Sequence, residues 1–260
     1  MRNFLLIGLV LLLCAFCLAV WQLQRLQDRI SALEAETKQL RAEAEHPTQF
    51  IGKFPDNISE VTKMVNATTS SLLIVNDYCA YGHYSKPDAY QEYKNALIAL
   101  AKKNVSVDMY IYDDATILQA NASQFGTDFN KISSDAKFKN YFDYYKNDHE
   151  RRQPNDLASY NKFMAGEQQR CIRELSVAGV KIHQSIHSIL PVFIWLRDQD
   201  EGIVSMYNLG EDAREVSLLT KNRSLLTVLG EISIQARQKA IDEKNEALHS
   251  PNRDPTPVLR

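Results

Sequence analysis

The chain has 260 residues, a formal net charge of −2 at pH 7 and 45% hydrophobic residues. This near-neutral charge gives no overall electrostatic attraction to nucleic acid, so a class of proteins that binds nucleic acid through high positive charge is excluded. The length is sufficient for one globular domain with its own core and for further segments outside that domain.

An unbroken apolar run of 18 residues, Phe4 to Trp21, begins near the N terminus. As a helix it would be about 27 Å long, which is enough to cross the hydrocarbon core of a bilayer. The run is longer than the apolar part of a typical cleaved signal peptide. The sequence therefore predicts a single-pass membrane protein that contacts the lipid bilayer through Phe4 to Trp21, with the anchor at residues 1–21.

Positive charges on the two sides of this run indicate its orientation. Arg2 precedes the run, whereas Arg25, Arg29, Lys38 and Arg41 follow it. Because lysine and arginine concentrate on the cytoplasmic side, this count favours a cytoplasmic location for the rest of the chain, although the short leader also suits the opposite orientation. The two cysteines outside the run lie far apart, which is typical of reduced core residues.

A heptad repeat follows the apolar run almost directly. Its seam consists of Leu23, Leu26, Ile30, Leu33, Thr37, Leu40 and Ala44. In a parallel pair, Arg29 would face Glu34 of the partner and Glu36 would face Arg41, so that opposite charges meet. The pattern predicts a coiled-coil stalk at residues 22–46 and a homodimer or other homo-oligomer through Leu23 to Ala44. The alternative is a single rigid stalk.

Residues 47–241 alternate between strand and helix patterns. The stalk ends at Pro47, since proline disfavours a helical conformation in the residue before it. In chain order, the predicted elements are a helix capped by Asn57, a strand at Ser71–Val75, a helix from Pro87, a strand at Val105–Ile111, a polar helical region at 115–154, a helix capped by Asn155 or Asp156, four short strands between Val180 and Thr220, and a helix capped by Asn222. This order predicts an α/β domain with a mixed sheet and flanking helices. Residues 242–260 are predicted to be a disordered tail.

The last strands resemble the signature of the phospholipase D superfamily. Ser205 and Asn208 bound a Ser-Met-Tyr-Asn segment similar to the Gly-Ser-x-x-Asn strand end of that family, with Val204 in place of the glycine. Glu215 lies in a segment that resembles the following Asn-x-Glu strand, and Asp198 lies near the place of the aspartate in the His-x-Lys-x4-Asp signature. The predicted element order is also the single-domain plan of the family.

The resemblance implies a nucleophilic histidine and a lysine that holds the phosphate. In this sequence, neither residue occurs at the position that the signature requires. Counted back from Asp198, the two positions are Pro191 and Phe193, and no other register gives both residues. Neither side chain can attack phosphorus or stabilise a phosphate. Active members also bring two signatures to one site, and the sequence has no second copy. We therefore expect a pseudoenzyme, a membrane-anchored module that acts in sensing, ligand binding or scaffolding.

Two sets of polar residues are candidates for a functional site. For a phosphodiesterase or hydrolase with a relocated active site, the catalytic candidates are His187, Asp198, Ser205, Asn208 and Glu215. The ligand-binding candidates follow the first two predicted strands, where open α/β sheets bind ligands. They are Asp77, Tyr78, Asp113 and Asp114. The alternative interpretation is that these acids are turn and helix-capping residues.

A purely structural subunit of a membrane complex is a third hypothesis. No metal site is expected, because His183 and His187 have no third ligand at a suitable spacing. No cofactor is expected either. Nucleic acid is not expected as a partner in this interpretation, since acidic residues are interspersed among the basic and aromatic residues between 137 and 152. No particular protein partner follows from the sequence.

Overall fold

A computed structural model describes residues 21–22, 24–38, 48–148, 151–207 and 215–249. The chain divides into two compact units, Met1–Pro47 and Thr48–Arg260. Residues 1–20 of the predicted anchor and residues 39–47 of the predicted stalk and its boundary lie outside the described residues. In the part that is described, no helix combines the length and the apolar character needed to cross a membrane.

The described part of the first unit is a helix, α1, at residues 21–22 and 24–38. Three seam residues of the predicted coiled coil, Leu26, Ile30 and Leu33, are 55%, 54% and 61% exposed in this single chain. They lie along one face of the helix because their spacings alternate between four and three residues. The pairing of two such helices stays a prediction.

The second unit is an α/β domain. Its described elements are β1 (Gln49–Lys53), α2 (Ile58–Ala67), β2 (Ser71–Val75), α3 (Pro87–Lys102), β3 (Ser106–Tyr112), α4 (Asp114–Phe125), α5 (Phe129–Ser134), α6 (Ala136–Tyr144), α7 (Leu157–Val177), β4 (Lys181–Ile186), β5 (Val192–Arg197), β6 (Glu201–Tyr207), β7 (Glu215–Thr220) and α8 (Arg223–His249). The predicted fold class, a mixed sheet with flanking helices, is confirmed for this unit.

The strands form one seven-stranded sheet in the order β1-β7-β6-β5-β2-β3-β4. Strands β2, β3 and β4 are parallel, as the predicted strand-helix-strand unit requires. Strands β5, β6, β7 and β1 continue the sheet in antiparallel pairs. One edge therefore collects the carboxyl ends of β1, β2, β3, β4 and β6 with the amino ends of β5 and β7. We call it the carboxyl edge of the sheet.

Two groups of buried side chains stabilise the domain. The larger group lies between the sheet and its helices and includes Leu97, Ile194 and Trp195 at 0% exposure. The smaller group is aromatic and joins α5, α6 and α7 through residues such as Phe138 and Tyr160. The polar stretch after β3 thus has a core of its own. Both cysteines of the domain are buried free thiols.

Local sequence patterns predict some of the element boundaries correctly and others incorrectly. Asp156 accepts a hydrogen bond from the Ser159 N–H, and Asn222 Oδ1 accepts one from the Leu225 N–H at 3.0 Å, so both predicted caps are confirmed. Strand β1 was not predicted, since its five residues have no clear alternation. Helix α8 continues to His249, so residues 242–249 are helical and the predicted boundary of the tail at residue 242 is corrected.

Candidate functional site

A buried polar cluster lies at the carboxyl edge of the sheet, and we call it the Glu215 cluster. Its members are Asn57, Tyr81, Ser205, Glu215 and Ser217, and none is more than 6% exposed. Asn57 directly precedes α2, Tyr81 lies in the loop after β2, Ser205 belongs to β6, and the other two belong to β7. Polar side chains buried this deeply require hydrogen bonds from one another, because water does not reach them.

The register of the strands explains why these side chains meet. Glu215 and Ser217 are two residues apart in β7, so both point to the same face of the sheet. Ser217 pairs directly with Ser205 of β6, and the two hydroxyl groups share a hydrogen bond. Strand β1 then adds the segment before α2, because the Phe54 N–H donates to the Glu215 carbonyl at 2.9 Å.

A chain of hydrogen bonds joins the cluster internally. The Tyr81 hydroxyl donates to Glu215 Oε1 at 2.7 Å, and Asn57 Nδ2 donates to the Tyr81 oxygen at 2.7 Å. The same Nδ2 also donates to Ser217 Oγ. Asn57 Oδ1 is buried and has no hydrogen-bond partner among the described residues. The Glu215 carboxyl group is therefore held by neutral donors.

Burial controls the protonation of the two acids at this place. Removal from water raises the pKa of Glu215 to about 7. The charge of Asp77 also raises this pKa, whereas the hydrogen bond from Tyr81 lowers it. Burial likewise raises the pKa of Asp77 to about 6, although N–H groups of the backbone at Tyr78 and Asp77 oppose the rise. Two neighbouring carboxylates oppose each other's ionisation. Both acids therefore titrate near neutral pH.

Aromatic side chains occupy the strand next to Ser205. Phe193 of β5 pairs with Ser205 and is 1% exposed, so an apolar ring lies where the resemblance would place the lysine. Trp195, two residues on, donates from Nε1 to the Tyr93 hydroxyl at 3.1 Å. Its ring lies 4.7 Å from that of Tyr81. Phe193 and Trp195, the described residues of β5 on this side of the Glu215 cluster, supply neither a nucleophile nor a positive charge.

Asp198 lies at the opposite end of the strand from the Glu215 cluster. It follows β5, five residues beyond Phe193, which corresponds to about 17 Å along a strand. Its carboxylate accepts hydrogen bonds from the N–H groups of Thr69, Ser70 and Ser71. Partial burial acts against these bonds, but they hold the pKa of Asp198 well below its usual range. Asp198 thus fixes the start of β2, and the structure does not bring it to Ser205 and Glu215.

His187 forms a separate pair with Asp113. The His187 Nδ1 and Asp113 Oδ2 atoms are 2.6 Å apart at the carboxyl ends of β3 and β4. Asp113 also caps α4 by accepting from the Thr116 N–H at 2.7 Å. Asp114 accepts from Gln184 Nε2 at 3.1 Å. Strand β3 is three positions from β6 in the sheet, about 14 Å away. Of the two predicted ligand acids at this strand end, Asp113 is a helix-capping residue in contact with His187, and Asp114 is an exposed residue bonded to glutamine.

The other sequence candidates are divided between the cluster and the core. Asp77 is partly buried, and its charge acts on Glu215. Tyr78 is a core residue whose hydroxyl donates to the Met164 carbonyl of α7 at 2.9 Å. Asn208 lies outside the described residues. Of the predicted site residues, the structure therefore brings Ser205 and Glu215 together in neighbouring strands.

Three members of the cluster were not among the sequence candidates. The sequence predicts Asn57 as a helix cap, and this prediction is wrong, because its side chain makes no cap hydrogen bond and enters the cluster instead. Ser217 could have been found from its two-residue spacing to Glu215 on a strand. Tyr81 lies in a loop, where no periodic pattern marks a residue that folds back onto the sheet. Among the described residues, no group of three His, Cys, Asp or Glu side chains is arranged to hold a metal ion.

Comparisons with known proteins bear on the fold. No protein-family model and no curated protein matches the chain. Among solved structures, Nuc from Salmonella typhimurium, a phospholipase D family member, has a TM-score of 0.41 and 13% identity over 75% of this chain and 95% of its own. NucT from Helicobacter pylori has a TM-score of 0.38 and 9% identity over 75% and 97%.

The archaeal chromatin protein TrmBL2 is also similar, with a TM-score of 0.40 and 11% identity over 84% of this chain and 65% of its own. These likenesses concern the fold alone.

Proposed function

We propose that this protein is a membrane-anchored, non-catalytic phospholipase D-like module that acts in ligand binding, sensing or scaffolding as a parallel oligomer. The observation that supports it best is the chemistry beside Ser205. Phe193 is the residue of β5 that pairs with Ser205, and the donor to Glu215 Oε1 is the neutral hydroxyl group of Tyr81.

Phosphoryl transfer needs a nucleophile and positive charge at the phosphate. The Glu215 cluster offers hydroxyl groups, an amide and a carboxyl group, and a second acid acts on it from Asp77. Among the described residues, no lysine or arginine is paired with either acid. An ionised Glu215 would repel a phosphate group, so this arrangement opposes the binding step as well as the chemical step.

The histidines of the described domain have other environments. His83 is buried among tyrosines, its Nδ1 lies 3.1 Å from the Ala80 carbonyl, and burial lowers its pKa to about 4. His183 stacks on Tyr110 with ring centroids 4.7 Å apart. His187 is paired with Asp113. None of these contacts places an imidazole beside Ser205.

The anchored, oligomeric part of the proposal is supported by the sequence pattern. The apolar run from Phe4 to Trp21 has the length of a membrane span, and exposed seam residues follow on α1. Two chains inserted in the same direction would present their stalks in parallel, which is the arrangement that the charges beside the seam favour.

An enzyme with a relocated site is the second candidate, and the pair of His187 and Asp113 favours it. A carboxylate that bonds to Nδ1 orients an imidazole as a general base, which is a common element of hydrolytic sites. In this alternative, Glu215 would be dispensable for turnover and His187 would be required.

The test is a turnover assay on the full-length protein in detergent. Substrates are bis(4-nitrophenyl) phosphate, DNA and phospholipid vesicles, and variants are Glu215→Gln and His187→Ala. Glu60→Gln, which removes a charge from the exposed ion pair with Lys63, is the matched control. We expect every protein to match the protein-free rate. Turnover lost only in His187→Ala would support the second candidate, and turnover lost in Glu215→Gln would contradict the proposal.

A further inference from the structure

An exposed apolar strip crosses four strands of the sheet, and we call it the Met206 strip. Its members are Phe50 of β1, Val216 and Leu218 of β7, Met206 of β6 and Val192 of β5. The strand register pairs Phe50 with Leu218, and it pairs Met206 with both Val216 and Val192. Paired residues point to the same face of a sheet, and so do Val216 and Leu218, which are two residues apart. The five side chains therefore form one continuous row.

The Met206 strip is accessible in the single chain. Phe50 is 57% exposed, Met206 is 36% exposed, and the other three members are half-buried. A single apolar residue at a protein surface needs no explanation, but a contiguous apolar row marks an interaction surface.

Helix α8 covers the same face of the sheet at a different place. Gly202 and Val204 precede Met206 on β6 at intervals of two residues, so they share its face. A methyl group at Gly202 would lie 3.1 Å from side-chain atoms of Leu226 and Leu229, so α8 packs directly on the sheet there. Val204 is 6% exposed, whereas Met206 is 36% exposed. The cover that α8 provides on β6 therefore ends before the strip.

Three segments outside the described residues match the Met206 strip poorly in composition. Residues 39–47 and 208–214 have one large apolar side chain each, Leu40 and Leu209. Residues 250–260 have two, Val258 and Leu259, in a segment with three prolines. A second copy of the chain, in contrast, supplies an identical row of five apolar side chains.

The predicted stalk would bring that second copy within reach. Paired helices lie about 8–10 Å apart, and the four residues from the end of the stalk at residue 46 to Phe50 span at most about 14 Å. In a parallel pair, the two Phe50 residues therefore lie within about 40 Å of each other.

The size of the strip also favours a partner that is held nearby. A stable interface between free proteins buries about 800 Å² on each partner, more than five partly exposed side chains provide. Two domains joined through their stalks have an effective concentration in the millimolar range, at which a small apolar contact is sufficient.

We propose that the Met206 strip packs against the Met206 strip of a second copy of this chain within the stalk-joined oligomer. Such a contact uses the same surface on both chains, as a twofold pair of parallel stalks permits. The inference rests on the proposed function, because the stalk holds the two copies together. It goes further by assigning the α/β domain an interface of its own.

The experiment is site-specific photocross-linking of the full-length protein in detergent. The photoreactive residue p-benzoylphenylalanine replaces Phe50 in one protein, Ile30 of the stalk seam in a second, and Tyr144 in a third. Tyr144 is the matched control, since it is an aromatic residue of α6 with 50% exposure. A denaturing gel separates links between chains from links within one chain, and mass spectrometry locates them.

We expect position 50 to link to β1, β5, β6 or β7 of another chain, position 30 to link to another stalk, and position 144 to give no link between chains. Met206→Glu should reduce the yield at position 50 by about tenfold or more, because a carboxylate in an apolar contact loses its water. It should leave the yield at position 30 unchanged. Leu118→Glu is its control, at an apolar residue of α4 that is 39% exposed.

Several results would overturn the inference. These are links from position 50 only within its own chain, equal yields between chains at positions 50 and 144, or a yield at position 50 that Met206→Glu and Leu118→Glu change equally. If Met206→Glu does not fold, the location of the link decides, since attachment outside β1, β5, β6 and β7 of the other chain would also overturn it.

The stalk position separates this inference from the proposed function. A link between chains at position 30 without one at position 50 overturns this inference alone. The absence of both links also contradicts the oligomeric part of the proposed function. A link at position 50 without one at position 30 supports the contact between the strips and contradicts the stalk pairing.

Discussion

Asp198 and Glu215 are two acids at opposite edges of the same sheet, and their environments differ in the supply of donors. Asp198 accepts five hydrogen bonds, from the N–H groups of residues 69–71 and from the hydroxyls of Thr69 and Ser70. Glu215 is more deeply buried and is bonded to the Tyr81 hydroxyl. The pKa of Asp198 is accordingly lowered and that of Glu215 is raised.

The difference separates a structural acid from an available one. Asp198 stays ionised throughout the physiological pH range. Its carboxylate binds the N–H groups at the start of β2 and so joins this strand to the turn after β5. Glu215 changes its charge near neutral pH and retains acceptor capacity. The resemblance to the phospholipase D signature makes Asp198 and Glu215 equal candidates for the site. Their hydrogen-bond donors distinguish them, because Asp198 is bound by backbone N–H groups and Glu215 belongs to the polar cluster.

Removal of the structural acid should have the largest effect on stability. Asp198→Ala leaves three backbone N–H groups without their acceptor, and we expect a loss of about 2–3 kcal/mol in the free energy of unfolding. Denaturant unfolding of the full-length protein measures it. Because the folded pKa of Asp198 is lowered, its stabilising contribution is present above about pH 4 and is lost as the pH falls further.

Asp200→Ala is the control for this measurement, since Asp200 lies two residues away in the same turn and its side chain is 70% exposed. Its effect should stay within about 0.5 kcal/mol. Equal effects of the two substitutions would show that the hydrogen bonds of Asp198 do not stabilise the turn.

Loss of the hydroxyl group of Tyr81 should have an intermediate effect. Tyr81→Phe removes the donor to Glu215 and the acceptor for Asn57 but keeps the ring packing, so we expect a loss of about 1–2 kcal/mol. It should also raise the pKa of Glu215 further, because the carboxylate loses its donor. Tyr144→Phe, at a tyrosine that is 50% exposed, should change neither quantity. An unchanged free energy of unfolding in Tyr81→Phe would show that the hydrogen bonds of the Tyr81 hydroxyl group do not stabilise the domain.

The pair of Asp113 and His187 should have the smallest effect. Both side chains are partly exposed, at 28% and 38%, so a double-mutant cycle with Asp113→Asn and His187→Ala should give a coupling below about 1 kcal/mol. Asparagine keeps the cap on α4, which confines the measurement to the pair itself. A coupling of several kcal/mol would indicate a pair that is held for chemistry, as the second candidate function requires.

Much of the fold could be predicted from the sequence because its signals are local. Pro87 at the start of α3, the cap at Asp156 and the apolar run of β2 each mark an element within a few residues. Strand β1 could not be predicted in this way. It forms because β7 offers an unpaired edge, and that edge is created by residues more than 160 positions away in the chain.

The candidate site could be predicted only in part, for the same reason. Ser205 and Glu215 lie on neighbouring strands near each other in sequence, so a motif reveals them. Asn57 lies before α2 and Tyr81 lies in the loop after β2. From the sequence alone, the first has the pattern of a helix cap and the second that of a loop residue, so neither is recognised as a member of the cluster. Asp198 shows the converse, since a motif position alone did not reveal that three backbone N–H groups bind it.

The titration of Glu215 tests most directly whether the Glu215 cluster lacks a compensating cation. Infrared difference spectra between wild type and Glu215→Gln isolate the carbonyl stretch of the protonated side chain across a pH series. The account predicts a midpoint at about 7, so that the signal persists well above the ordinary value of 4.5. A carboxyl group that is already ionised at that ordinary value would show a nearby positive charge and would contradict the account.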